Sequence, residues 1–223
     1  MPVSGRAILL DPFDAVYVDI AKVASSSLKA TFADLLGLDG ASGNPHEIMY
    51  PEPGWVTPSG ERIYPEHFAF AFVRDPWDRL VSCYRDKIRG EVGGFTGIAD
   101  SGVAHCLARF DVFAPDMSFV EFVRAVAAIP DHQADEHFRS QADYVTNEQG
   151  DVAVDFVGRY ERLAADFADV AAAIGLPVSV RLPRLQAAPA QDHARCYDAE
   201  TSALVAARYA RDIGLFGYSA PAA

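Results

Sequence analysis

The stretch Ala15–Phe32, AVYVDIAKVASSSLKATF, decides how the rest of the chain is read. Ala15-Val16-Tyr17-Val18 is a short run of β-branched and aromatic residues, which predicts a buried strand. Further on, Leu28, Phe32, Leu35 and Leu36 recur at helical spacing, and Gly37 stands where a helix C-cap falls. Between strand and helix lies Lys22-Val23-Ala24-Ser25-Ser26-Ser27. A strand that feeds a helix through small residues is a device for holding an anion. The helix N-terminus offers N–H groups and partial positive charge, and small side chains let the anion reach the backbone. The three serines can cap the helix or donate hydroxyl hydrogen bonds. Lys22 adds a full charge at the strand's carboxyl end.

The nucleoside-triphosphate P-loop has the form G-x-x-x-x-G-K-[ST], with its lysine at the helix start. Here the lysine precedes the loop and the glycines are missing. Working outward, 223 residues with half of them hydrophobic suit one α/β domain over 1–223, with its core at about 15–218. A net charge of −12 argues against a protein that coats nucleic acid. Only three lysines occur, Lys22, Lys29 and Lys87, against sixteen arginines, so a lysine in the loop stands out. Cys83, Cys106 and Cys196 are widely spaced without a CxxC pair and read as reduced, buried cysteines. No metal-ligand spacing is seen, so no metal is expected. The apolar patch in MPVSGRAILLDPFD is too short for a signal peptide, and no run reaches transmembrane length. A soluble, cytoplasmic protein is the expectation.

The second informative stretch is Phe68–Ile88, FAFAFVRDPWDRLVSCYRDKI. Phe68 to Val73 predicts a strand of the same sheet, and Asp75-Pro76 opens a helix as N-cap and first-turn proline. Arg74 therefore sits at a strand's carboxyl end, where open α/β sheets bind ligands. Arg79 and Ser82 share a face of the helix that follows. Arg74 with Ser82 suits a second anion site, and Arg79 either joins it or pairs with Asp75. Residues 38–66 hold repeated glycines and prolines and read as a long irregular connection containing His46. Residues 90–117 read as a loop. Ser118 to Glu121 is a capping box, with Phe119, Phe122, Val123 and Val126 on one helix face.

Taken together, these segments resemble the sulfotransferases that use 3′-phosphoadenosine 5′-phosphosulfate, in the carbohydrate sulfotransferase-type branch. Lys22 to Ser27 is similar to that family's K-x-x-x-T-S loop, which cradles the 5′-phosphosulfate. Ala21 stands where a proline is usual, Ala24 where a glycine is usual, and serines replace threonines. Arg74 to Tyr84 matches the R-D-P-x-x-R-L-V-S-x-Y segment that holds the 3′-phosphate. His137 to Tyr144 resembles the H-x-x-x-Q-x-x-[YW] segment, and Asp155 to Leu163 the strand-to-helix turn after it. Tyr197 to Thr201 and Asp212 to Tyr218 resemble the closing helix and C-terminal aromatic cap.

The resemblance implies a P-loop-like, mostly parallel sheet flanked by helices, and a metal-independent sulfuryl transfer to a hydroxyl or amine. The acceptor would be a carbohydrate or small metabolite. The donor would lie on Lys22, Val23, Ala24, Ser25, Ser26 and Ser27, with Arg74, Arg79 and Ser82 at its 3′-phosphate. Lys22 faces the leaving phosphate. An acceptor must also lose a proton, so a general base is needed. His46 is the first candidate by position, His137 the second, and Glu47 the fallback. His67, His105, His132 and His193 read as non-catalytic. Arg184, Gln186 and Arg195 are candidate nucleotide contacts before the last helix. Two other readings stay open: an ATP-dependent phosphotransferase with Asp155 holding magnesium, and a non-catalytic nucleotide-binding module.

Overall fold

The computed structural model describes residues 6–38, 43–49, 52–57, 61–91, 97–177, 179–183 and 193–221. In chain order the strands and α-helices are β1 (Arg6–Leu10), β2 (Ala15–Asp19), α1 (Ser25–Leu35), α2 (Pro45–Ile48), β3 (Glu52–Pro53), β4 (Phe68–Val73) and α3 (Pro76–Lys87). There follow α4 (His105–Ala108), α5 (Phe119–Ala128), α6 (Ala142–Val145), β5 (Phe156–Arg159), α7 (Leu163–Ala173), α8 (Ala199–Arg208) and α9 (Ala210–Phe216). The chain divides into two compact units, each built from two segments. The first is Met1–Arg74 with Gln141–Leu185, the second Asp75–Ser140 with Gln186–Ala223.

The first unit is an α/β unit around a five-stranded sheet of order β3-β1-β2-β4-β5. Both strands expected from the sequence form, and they pair in parallel with Tyr17 opposite Phe70. β5 continues the parallel sheet on the other side of β4. β1 and β3 extend it antiparallel, so the parallel part is the β2-β4-β5 centre. β1 is an addition to the sequence reading, which took Arg6–Leu10 as a mere apolar patch. Its pairing with β2 through the Asp11–Phe13 turn puts Ala7, Ile8 and Leu10 in the core. The irregular 38–66 connection likewise holds α2 and β3, with Asn44 accepting from the His46 N–H as α2's cap.

Aromatic rings fill the space beside the sheet. Phe32 of α1 meets Tyr17, Phe70 and, from α7, Phe167 at centroid separations of 5.4, 6.0 and 6.5 Å. The helix ends at Gly37, whose φ of 74° suits a residue without a Cβ. On β5, Gly158 faces Phe72, and a Cβ there would lie 2.5 Å from the ring.

The second unit is helical. Asp75 caps α3 by accepting from the N–H groups of Trp77 and Asp78, and Ser118 with Glu121 forms the expected capping box of α5. Its core gathers Trp77, Leu80, Phe122, Phe138, Val205 and Tyr209 among others. Phe119, expected on the buried face of α5, is only partly buried there. Among the described residues, no helix is long and apolar enough to cross a membrane.

Candidate functional site

β2 ends at Asp19, and the chain then turns through five residues into α1. Two of those residues, Lys22 and Ala24, hold φ values of 71° and 67°. That left-handed region costs an L-residue about 1–2 kcal/mol and persists only where the surroundings impose it. Lys22 and Ala24 flank Val23, which is fully buried, and left-handed residues in a turn are a recurring feature of backbone anion sites. Ala24 also explains why a glycine suits this position. It is the N-cap of α1 and supplies no side-chain cap, unlike Asp75 at α3 and Ser118 at α5. The serines are the first three residues of the helix rather than its cap. All three are buried.

Their hydroxyls enter a buried polar network. Ser25 Oγ donates to Asp19 Oδ1 at 2.5 Å, and Ser26 Oγ lies 2.9 Å from His46 Nε2. Lys29 Nζ pairs with Asp19 Oδ2 at 2.6 Å and lies 3.2 Å from His46 Nδ1. An ammonium only donates, so His46 Nδ1 accepts and Nε2 carries the proton toward Ser26. Nearby, burial above all pushes the Tyr17 phenol far above its ordinary pKa, with Asp19 adding to it. His46, the first general-base candidate, thus has Nδ1 facing Lys29 and Nε2 facing Ser26.

Arg74 sits where the sequence places it, just past β4. Val18 pairs with Ala71 and Val73 with Arg159, so residue 74 lies level with the phosphate-type loop on one side and Tyr160 on the other. Its Nη1 donates to the Lys22 carbonyl at 3.0 Å, and its guanidinium stacks 4.0 Å over the Tyr160 ring. Gln141 holds the Arg74 backbone from both sides, accepting from its N–H at 2.9 Å and donating to its carbonyl at 2.8 Å. The charge is thus fixed in place by three groups of its own unit.

The other assignments divide. Ser82 is half-buried on α3 of the second unit. Arg79, in the same unit, is 2% exposed and donates to the carbonyls of Arg139 and Glu136 at 2.7 and 2.9 Å. Its two terminal nitrogens thus hold the turn before Ser140. His137 is in the second unit against Asp135, Nδ1 to Oδ1 at 2.5 Å. Glu47 is exposed and accepts from the Asn44 amide. Arg184 and Gln186 fall outside the described residues, and Arg195 is exposed. Asp155 lies at the entry of β5, the end opposite the loop. Its carboxylate takes two hydrogen bonds from Arg62 and one from the Ala69 N–H, as a structural group does. Sequence reasoning missed Asp19, Lys29, Gln141 and Tyr160 as site-builders. Lys29 carried a signal, being one of three lysines and seven residues after Lys22.

A sheet with a parallel centre, a strand-loop-helix turn at the carboxyl end of one strand and an anchored arginine at the next defines a P-loop-like α/β protein. Comparison with known proteins narrows this: residues 7–219 match the model of the Sulfotransferase family, and the chain belongs to that family. It is similar to Carbohydrate sulfotransferase 14 of Mus musculus and of Homo sapiens, each 30% identical over 245 residues, 99% of this chain. A third relative of that name, from Danio rerio, is 29% identical over 54% of the chain. The chain spans 64% of the length of the mouse and human relatives. No solved structure matches it significantly.

Proposed function

We propose that this protein transfers a sulfuryl group from 3′-phosphoadenosine 5′-phosphosulfate to a hydroxyl of a glycan. The reading is carried by the Lys22–Ser27 loop, held left-handed at two non-glycine residues and leading into a helix without a side-chain cap. The relatives' names supply the carbohydrate acceptor. Bound there, the nucleotide supplies an activated sulfuryl group on a phosphate that gains charge as the group leaves. Lys22, the helix N-terminus and the Ser26 hydroxyl meet that charge, the kind of preorganised stabilisation on which such transfers depend. Arg74, held by Gln141, Tyr160 and the Lys22 carbonyl, and Ser82 are assigned to the 3′-phosphate on the strength of the R-D-P-x-x-R-L-V-S match.

His46 has two candidate roles. As general base it takes the acceptor's proton. As a hydrogen-bond support it donates through Nε2–H to Ser26 and holds that side chain at the start of the helix. The Lys29 contact at Nδ1 favours the second. The phosphotransferase reading loses its magnesium carboxylate, because Asp155 is committed to Arg62 and Ala69.

The test is thermal. Adenosine 3′,5′-bisphosphate should raise the melting temperature by mass action, by about 2.7 kcal/mol of stability at a hundredfold excess over Kd. ATP at the same concentration should do much less. A larger shift with ATP sinks the proposal. Transfer of labelled sulfate from the donor to a panel of neutral glycans then reads the acceptor.

A further inference from the structure

We propose that Cys106, Asp135 and His137 form a zinc-binding site in the second unit. Their ligand atoms, Sγ, a carboxylate oxygen and an imidazole nitrogen, all lie within 4.8 Å of one another. A tetrahedral ion with bonds of about 2.0–2.3 Å needs its ligands roughly 3.3–3.8 Å apart, so small side-chain movements suffice. The sequence hides the set, because Cys106 is 29 residues before Asp135 of the Asp135-x-His137 pair and no Cys or His spacing betrays it.

The backbone around the pair is already fixed. Asp135 O accepts from the N–H groups of Phe138 and Arg139, and Asp135 Oδ1 accepts from the His137 N–H. Arg79 clamps the same turn through the carbonyls of Glu136 and Arg139. Cys106 comes from α4, whose neighbours Ala104 and Leu107 are anchored in the core. Asp135 is buried, while Cys106 and His137 are half-buried and open a path for an ion.

The chemistry of the set suits zinc over the hard cations. A thiolate and an imidazole are ligands of zinc, not of calcium or magnesium, and three protein ligands leave a fourth position for water. On binding, the Cys106 thiol proton goes to solvent. His137 binds as the neutral ring, with Nδ1 toward the metal and its single proton on Nε2. The surrounding charges are mixed. Arg109 lies 3.7 Å from Asp135 Oδ2 and must yield that oxygen, Lys87 also acts on the thiol, and Glu136 offsets them. A nucleophilic cysteine is the competing use of such a trio. The cobalt titration below separates the two, because a nucleophilic cysteine gives no metal-dependent charge-transfer band.

The test uses the full chain carrying Cys196→Ser, which removes the exposed thiol, titrated with Co²⁺ as a spectroscopic stand-in for zinc and then with Zn²⁺. Expected are one equivalent bound, tetrahedral cobalt bands with a sulfur-to-metal charge-transfer band, and their loss when Zn²⁺ displaces the ion. Adding Cys106→Ser should abolish the charge-transfer band, and adding His137→Gln should weaken Co²⁺ binding at least about tenfold while the band's sulfur character stays. Circular dichroism checks that each variant folds; if the serine variant does not, the glutamine variant decides. No charge-transfer band in the parent, or one that survives Cys106→Ser or is unmoved by His137→Gln, overturns the proposal.

Discussion

At the scale of single residues, the two sharpest expectations concern Arg74 and His46. Arg74 is held by contacts that leave its position independent of ligand: the Lys22 carbonyl, the Tyr160 ring and the Gln141 clamp. A hydrogen bond to a charged group is worth about 1.5–3 kcal/mol, so Arg74→Ala should weaken adenosine 3′,5′-bisphosphate by roughly 10- to 150-fold. If it meets the 3′-phosphate, 5′-AMP should be nearly unaffected. Equal losses for both ligands, measured by calorimetry, would assign Arg74 to the loop it touches instead. His46→Ala should lower kcat by about 10²–10⁴-fold in either of its roles, since each serves the transferring group. The roles separate on affinity. A base facing the acceptor leaves nucleotide affinity unchanged and shapes the acidic limb of the pH–rate profile. A support for Ser26 loses nucleotide affinity on removal, as Ser26→Ala does, and the double variant adds little to either. The Lys29 and Ser26 contacts predict the second pattern.

At the scale of elements, what was legible follows from what is local. The β2–α1 and β4–α3 units were readable because each carries its own signals: an apolar run, a break, a cap or proline, then helical spacing. β1 was not, since Arg6–Leu10 alternates weakly and becomes a strand only by pairing with β2 across the Asp11–Phe13 turn. Nor were the partners of Lys29, because the Asp19–Lys29–His46–Ser26 network joins a strand end, a helix and a loop residue that only the fold brings together. The same holds for Gln141, whose grip on Arg74 spans 67 residues of sequence. One element-level expectation concerns β5. Gly158 lies against Phe72, which is fully buried and cannot swing away. Gly158→Ala should therefore destabilise the protein by about 1–3 kcal/mol, as overpacking does, although alanine favours most backbone more than glycine. Denaturant melts read it; a neutral or stabilising effect would mean that β5 shifts easily and does not fix Tyr160 beneath Arg74.

At the scale of the whole molecule, stability in acid is set by a few depressed carboxylates against a net charge of −12. Asp131 is the clearest case. Burial opposes its ionisation, but the hydrogen bonds from Ser140 and the Arg208 guanidinium at 2.8 Å outweigh this and hold the carboxyl below its ordinary range. It joins the turn after α5, the Ser140 backbone and α8 within the second unit. The sign follows from linkage. A carboxylate whose folded pKa is depressed contributes stability that is complete above its unfolded pKa of about 3.8 and is lost as pH falls through the lower folded value. Lowering pH toward the isoelectric point also relieves self-repulsion, which acts in the opposite direction and on every variant alike. The comparison that isolates Asp131 is therefore the difference between the wild-type protein and Asp131→Asn, measured by urea unfolding at several pH values. The asparagine variant should be less stable by a constant amount above about pH 5, with the gap closing below pH 3.8 as the wild-type carboxylate takes up its proton. A gap that stays constant to the lowest pH would show that the loss comes from the altered hydrogen-bond geometry at Ser140 and not from the charge facing Arg208.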